Sequence, residues 1–367
     1  MKILLIGDYS NYHACLGRAL ADEGHQVTIA SSGGGWMKTS NDISLRRPLP
    51  GKAGGMLLYT KLLFDSRLKG YDVVSLINPS FAGLRPKRLQ VIFNKLKQKN
   101  GAVFLGSIGT DKAVMEFLTS ADCPLRYSEY YSSKNKIYQP NLPVLEKDNL
   151  WRKGEIGDFC EFVYDNVNGV TTAIYEYHLA MERRIPSEKL CYTGIPIYLP
   201  EVIDESRKDK LNIFLGRHSY RKQFKGTDRL EIAARRVTDE LSEQCYLTIV
   251  EDVPLKSYKE KLGEADIVLD QLYSYSPATN ALMAMAKGKV VVSGGEPEYY
   301  SFIGEEDMFP VVNVIPDDEE IFNIIKDLVL SPEKVNKAVK EGPVFVKKHN
   351  DAVLVAKRHV DFWTSKM

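Results

Sequence analysis

Short apolar runs and longer amphipathic stretches alternate along this chain from its first residue. "KILLI" (2–6) is apolar and is closed by Gly7. "HACLGRALADEGH" then carries apolar residues at helical spacing, and "QVTIA" (26–30) is apolar again. Strand, helix, strand at this spacing predicts a parallel α/β unit, because parallel strands need a crossover. The pattern returns in "YDVVSLI" (71–77), the basic "RPKRLQVIFNKLKQKN" (85–100) and "GAVFLGSI" (101–108). After a Tyr-rich irregular stretch (127–143) come "GVTTAI" (169–174), "YEYHLAMERR" and "KLCYTG" (189–194).

A second series begins at "LNIFLG" (211–216) and runs through "CYLTIV" (245–250), "ADIVLD" (265–270), "NALMAMAKG" (280–288), "KVVVSGG" (289–295) and "FPVVNV" (309–314). The remainder reads as two or three helices. Between the series, "IPIYLPEVIDESRKDK" (195–210) holds two prolines and a charged run, the composition of a linker. The expected fold class is α/β, two Rossmann-like doubly wound domains facing a cleft, with C-terminal helices. The expected domains are 1–200, 201–345 and a C-terminal helix, 346–367, packing back on the first. No fixed-period repeat appears.

Length agrees with this division, since 367 residues exceed one comfortable core. With 44% hydrophobic and 26% charged residues the chain has the composition of a folded protein, so disorder is not expected. The net charge of +1 hides an asymmetry: residues 1–200 hold 25 Lys/Arg against 19 Asp/Glu, and the rest 24 against 29. That split is too weak to point to nucleic acid. Five scattered cysteines without a CxxC pair predict neither disulfides nor a zinc site and suit a reducing cytoplasm. "MKILLIGDYS" turns polar too soon for a signal peptide. No apolar run approaches the roughly 20 residues that span a bilayer.

One segment breaks the charge balance. "GRHSYRKQFKGTD" (216–228) carries Arg217, His218, Arg221, Lys222 and Lys225 between a predicted strand and a predicted helix, with no acid before Asp228. In open α/β sheets ligands bind beyond the carboxyl ends of strands, where helix N-termini offer free N–H groups. Cations there make charge-assisted bonds to an anion such as a diphosphate. A solvated basic loop is the competing reading.

Read together with "EADIVLDQLYSYSPATNALMAMAKGKVVVSGGEPE" and the opening "MKILLIGDYSNYHACLGRALADEGHQVTIAS", the segment resembles GT-B glycosyltransferases, specifically the retaining family 4-like (group 1) enzymes. The resemblance covers most of the chain in order. It implies a nucleotide-sugar donor in the second domain, an acceptor in the first, no cofactor and no obligatory metal. It matches Arg217 and Lys225 to the pair that holds the donor diphosphate, with Lys222 as a substitute for Lys225. It matches Glu298 to the acid after the glycine pair, while Gly294 and Gly295 let backbone approach the ligand.

The chain departs from the family where two glutamates stand eight positions apart: here the positions are Tyr275 and Met283. Nearby Ser276, Thr279 and Asn280 either contact the donor or cap the helix predicted over 278–287. In the first domain Gly7 ends the first strand and is expected to face the donor, and Asn11, Tyr12 and His13 follow on the acceptor side. Asp111, at a later strand end, either orients an acceptor hydroxyl or caps "KAVMEFL". His178 and His349 have no partners at metal-ligand spacing and read as structural.

The expected function is a retaining glycosyltransferase that moves a sugar from a nucleotide-diphosphate sugar to a hydroxyl acceptor, a glycan or a polyprenyl-linked sugar, in cell-surface polysaccharide biosynthesis. The expected location is the cytoplasm, at the inner face of the membrane. There the basic helix over 85–99 would meet anionic lipid, with Val91, Ile92 and Leu96 packed inward. The alternatives are a nucleotide-sugar epimerase on the same fold and a catalytically inactive GT-B-shaped partner.

Overall fold

The apolar runs are built as parallel sheet. The structure is a computed structural model that describes residues 1–33, 38–133, 136–201 and 209–367. Among these, the strands are β1 (Lys2–Ile6), β2 (Gln26–Ser31), β3 (Ile43–Ser44), β4 (Val73–Leu76), β5 (Ala102–Ser107), β6 (Tyr131–Ser133) and β7 (Lys136–Ile137). They continue with β8 (Gly169–Thr172), β9 (Leu190–Tyr192), β10 (Leu211–Arg217), β11 (Cys245–Glu251), β12 (Ile267–Leu269), β13 (Val290–Ser293) and β14 (Val311–Asn313).

One compact unit comprises Met1–Phe117, Asp148–Pro196 and Ala352–Met367. Its sheet has the order β3-β2-β1-β4-β5-β8-β9, and every pairing is parallel. β1, β4 and β5 are apolar on both faces because helices cover both, as a doubly wound sheet requires. The first helix (Tyr12–Asp22) and the last (Ala352–Thr364) pack together in this unit, with Trp363 fully buried.

The second unit comprises Leu118–Lys147 and Ile197–Asp351. Its parallel sheet runs β11-β10-β12-β13-β14, and β6 and β7 form a separate antiparallel hairpin. The helix Thr227–Glu240 buries Leu230, Ala233, Ala234 and Val237, the i, i+3, i+4, i+7 stripe its sequence shows. Helix Asp318–Leu330 packs beside it and is started by Asp317, whose carboxylate accepts the N–H of Glu319 (3.1 Å) and Glu320 (2.9 Å). Strand order reverses between β10 and β12, and between β1 and β4 in the first unit. Those switch points are where open α/β sheets bind ligands.

The Tyr-rich stretch therefore belongs to the second unit. The C-terminal third forms three helices, and the third, Ala352–Thr364, lies in the first unit. Of the proline-rich stretch 195–210, residues 202–208 lie outside the described residues. In helix Pro86–Lys99 the inward residues are Leu89, Ile92, Phe93 and Leu96. Val91, expected inside, is exposed, because it sits one position off the buried stripe.

Candidate functional site

At the switch point of the second unit, β10 ends at Arg217 and the chain passes through a short turn and a single helical turn, Lys222–Lys225. Gly226 then adopts φ 69°, and a Cβ there would lie 2.6 Å from Leu272 Cβ, so only glycine closes this turn. The Leu272 N–H donates to the Lys225 carbonyl at 2.8 Å and clamps the loop to the end of β12. This sets the Lys225 ammonium 3.8 Å from Asp270, a carboxylate only 3% exposed. Asp270 Oδ1 also accepts the Asn280 side-chain N–H at 3.0 Å, and Asn280 in turn accepts the Tyr258 hydroxyl at 2.6 Å. Asp270 Oδ2 is buried with no hydrogen-bond partner.

The five cations of the segment thus have different fates. Arg217 is held by Glu231 and by Glu251 (2.7 Å), so its charge is already neutralised on two sides. His218 meets Asp252 at 3.1 Å, and Arg221 lies over the Phe224 ring. Lys222 makes no ion pair among the described residues. The cation expected at the diphosphate that stands ready beside a helix start is Lys225.

That helix, Thr279–Ala286, begins after Ala278, and no side chain caps it. The N-cap position is Ala278, which has no side-chain oxygen, so neither Ser276 nor Thr279 occupies the capping position. Ser276 is buried, and Ser274 Oγ is buried without a partner. The glycine pair serves the fold itself. A Cβ on Gly294 would lie 1.7 Å from the Ser274 carbonyl oxygen, and one on Gly295 would lie 2.7 Å from Val311 Cβ. The close backbone approach expected toward a ligand is made to the protein's own chain.

Tyr275, in place of a family glutamate, is buried, and its hydroxyl accepts the Arg126 N–H. The Arg126 guanidinium stands 5.4 Å from the centre of the same ring and pairs with Glu296 and, at 2.6 Å, with Glu298. Glu296 is 2% exposed and also accepts the Tyr127 hydroxyl. Burial raises the Tyr275 phenol to about 12; burial and the bond to Glu296 raise Tyr127 further. Glu298, matched to the donor-facing acid, thus pairs with Arg126 through Oε1 while Oε2 has no hydrogen-bond partner, and Met283 brings no hydrogen-bonding carboxylate. Glu296, Arg126, Tyr127, Asp270 and Tyr258 escaped the sequence reading. Only Asp270, an acid closing the strand run "ADIVLD", had a local signal.

In the first unit, Gly7 adopts φ 82°, and a Cβ there would lie 2.2 Å from Ile77 Cγ2. Ser10 (φ 50°) and Asn11 (φ 66°) follow in the left-handed region, a strained turn of the kind that clusters at binding sites. Of the three acceptor-side candidates only Asn11 stays on this turn's surface. Tyr12 is a correction: its buried hydroxyl meets Thr193 (3.2 Å), the Gly194 carbonyl (3.2 Å) and His359 (3.0 Å). His13 is another: it is 1% exposed and bonds the Gly7 carbonyl through Nδ1 at 2.7 Å, and burial pushes it down to about 4.

Asp111 takes the cap role. It is fully buried, and Oδ1 accepts the Val114 N–H at 3.1 Å at the start of helix Lys112–Leu118. Burial raises its carboxyl to about 7, but a group without solvent access does not deprotonate an acceptor hydroxyl. His178 bonds Thr172 and His349 bonds Glu305, as structural residues do. Among the described residues no three His, Cys, Asp or Glu side chains gather as a metal site.

No protein-family model and no curated protein sequence matches the chain. Solved structures do. Sucrose-phosphate synthase from Thermosynechococcus elongatus is similar over 100% of this chain and 98% of its own, with a TM-score of 0.63 and 13% identity. WaaG, a glycosyltransferase involved in lipopolysaccharide biosynthesis, is similar over 99% and 100%, with a TM-score of 0.60 and 12% identity. A variant of S. aureus TarM in complex with fondaparinux, alpha-GlcNAc-glycerol and UDP is similar over 83% of this chain, with a TM-score of 0.57 and 9% identity. The chain spans 59% of that protein's length. These likenesses show the fold, which is the GT-B fold expected from the sequence.

Proposed function

We propose that the chain is a retaining glycosyltransferase that moves a sugar from a nucleotide-diphosphate donor, bound by the second unit, to a hydroxyl acceptor served by the first. The observation that carries this reading is the convergence of Lys225 and the uncapped helix start at Thr279 on the switch point of a parallel sheet. A diphosphate there gains charge on leaving, and fixed donors stabilise developing charge without reorganisation. Lys225 and Lys222 supply cationic donors, and the first-turn N–H groups supply neutral ones. Asp111, the first-unit carboxylate expected at the acceptor, is buried as a helix cap and does not serve as a general base. This suits retention, in which the departing diphosphate itself takes the acceptor proton. Neutralisation by lysine also makes the reaction independent of divalent metal.

The GT-B fold, which WaaG shares, supports the assignment to cell-surface polysaccharide assembly at the inner face of the membrane. Among the described residues no helix is long and apolar enough to cross a membrane. The basic helix Pro86–Lys99 supports contact with anionic lipid instead, although Lys87 pairs with Glu155 and Lys97 bonds the Asn166 carbonyl. Calorimetric titration with UDP and UDP-glucose in EDTA tests the reading: binding should persist without metal and weaken in Lys225→Ala. Absence of binding to any nucleoside diphosphate would overturn it.

A second reading is a GT-B-shaped nucleotide-binding partner without turnover. It is favoured by Tyr275 in place of a glutamate and by the engagement of Glu298 with Arg126. Nucleotide binding without sugar transfer or donor hydrolysis would select it.

A further inference from the structure

Two stretches of the first unit contain no Asp or Glu: residues 43–64 and residues 73–110, which together hold ten Lys and Arg. Part of this charge is spent on the fold, as with Lys61 on the Ser44 carbonyl and Lys95 on the Leu63 carbonyl. Four other cations, Arg47, Lys52, Arg85 and Arg88, line one surface pocket of about 230 Å³. None of the four makes an ion pair among the described residues. Arg47 is steadied by the Gly83 carbonyl, and Arg88 lies 5.6 Å from the centre of the Tyr59 ring. Neither contact neutralises charge, so four like charges face one another around open space.

The wall of the pocket is the start of helix Gly51–Phe64, which no side chain caps. Glycine is a poor helix former, so adjacent glycines inside this helix need a reason. Gly54 has one in packing, since a Cβ there would lie 1.5 Å from the Leu49 carbonyl oxygen. Gly55 does not: a Cβ would lie at ordinary contact distance, 3.7 Å from Arg88 Nη1 and 3.9 Å from Arg47 Cζ. Its missing side chain leaves the space between the two arginines open.

We infer that this pocket binds a phosphoryl group. Three guanidinium forks, an ammonium and helix N–H groups offer more donors than one carboxylate can use. A phosphate presents three or four oxygens and up to two charges. At about 30 Å³ per water in the liquid, the volume admits a phosphate together with the ester group that carries it. Resting on the glycosyltransferase reading, this makes the acceptor a phosphorylated compound.

Calorimetry on the full chain carrying Lys222→Ala and Lys225→Ala, which weakens anion binding in the second unit, tests the site with inorganic phosphate and glycerol phosphate. One equivalent should bind. Gly55→Leu, which fills the pocket without changing charge, and Arg47→Ala/Arg88→Ala should each weaken it at least tenfold. Arg85→Glu, at an exposed position, gives the same test should either fold poorly. Undiminished binding in Gly55→Leu, or equal competition by chloride, would overturn the site. Phosphate binding that needs Lys222 and Lys225 would overturn it too, by placing the anion elsewhere. Phosphatidylglycerol vesicles separate the sources. Sedimentation lost in both Gly55→Leu and Leu57→Ser identifies a lipid headgroup, since Leu57 is exposed on the same helix. Sedimentation indifferent to Gly55→Leu, with phosphate binding reduced, identifies a soluble phosphate ester. Failure of UDP to bind, with phosphate binding intact, would refute the transferase reading and leave this pocket standing.

Discussion

Replacing Lys225 by alanine separates a structural cation from one that serves a ligand. In the folded chain the ammonium lies 3.8 Å from Asp270, a separation worth about 4 kcal/mol at an effective dielectric constant of ~20. Lys225 is one-third exposed, so solvent screening and desolvation reduce the net to about 1–2 kcal/mol. Lys225→Ala should lower unfolding stability by that amount, because a buried carboxylate is left with only the Asn280 amide. Adding Asp270→Asn should recover most of the loss by removing the stranded charge. Affinity for UDP should behave differently. A lost charge-assisted contact of about 1.5–3 kcal/mol weakens binding roughly 10- to 150-fold, and Asp270→Asn should not restore the missing donor. Urea denaturation gives the stabilities and calorimetry gives the affinities. UDP binding within twofold of wild type in Lys225→Ala, alongside the stability loss, would make Lys225 only the partner of Asp270 and refute the argument.

Tyr12→Phe should cost about 1–3 kcal/mol of stability by removing a buried hydroxyl bonded to Thr193, Gly194 and His359, with kcat unchanged; a kcat loss at constant stability would return Tyr12 to the site. Asp111→Asn should be neutral in turnover and stabilise the protein at pH 8 by something on the order of 1–3 kcal/mol. The folded carboxyl, near 7, lies above its unfolded value of about 3.9, so wild-type stability is lost as pH rises between the two and the gap should vanish near pH 4. The buried His13 and His359, pushed down to about 4 and about 3, act in the opposite sense: the unfolded chain takes up protons below about 6.5 that the folded chain refuses. Each of these histidines adds about 1.4 kcal/mol per pH unit and Asp111 subtracts about the same. His25 and His178, also lowered by burial, act in the histidines' sense, so denaturation midpoints should fall from pH 6.5 to 4.5, and a flat profile would refute the assignment.

The central strands were legible because each is a short apolar run buried on both faces, and burial of that kind leaves its mark along the run. β1, β4, β5, β12 and β13 lie within runs evident in the sequence, and β10 exceeds its run by Arg217 alone. The helix Gly51–Phe64 had no such mark. Its first two turns are glycine-rich, and Met56, Leu57 and Phe64 are exposed, so its apolar residues do not collect on one stripe. The segment 118–147 misled for another reason. Its neighbours in sequence belong to the first unit, but Arg126 and Tyr127 reach Glu296 some 170 residues away. Nothing in a tyrosine-rich stretch names its distant partner.

The basic segment 216–228 shows the same division inside one motif. Read as a string, its five cations are equivalent, because their counter-charges are elsewhere in the chain. Parallel pairing of β10 with β11 sets Arg217 beside Glu251, and the turn after β11 brings Asp252 to His218. Helix Thr227–Glu240 returns over the sheet and delivers Glu231 to Arg217. These three acids spend the front of the motif on holding the turn. Lys225 escapes because Gly226 ends its helical turn and the Leu272 N–H fixes its carbonyl at the other side of β10, next to β12. There it meets an acid that Asn280 already shares, beside a helix start with no cap. A ligand arriving at that point competes for one lysine with a single, partly satisfied carboxylate. At Arg217 it would have to displace two. Strand order, which the sequence does not spell out, therefore decides which cation of the motif is left for an anion.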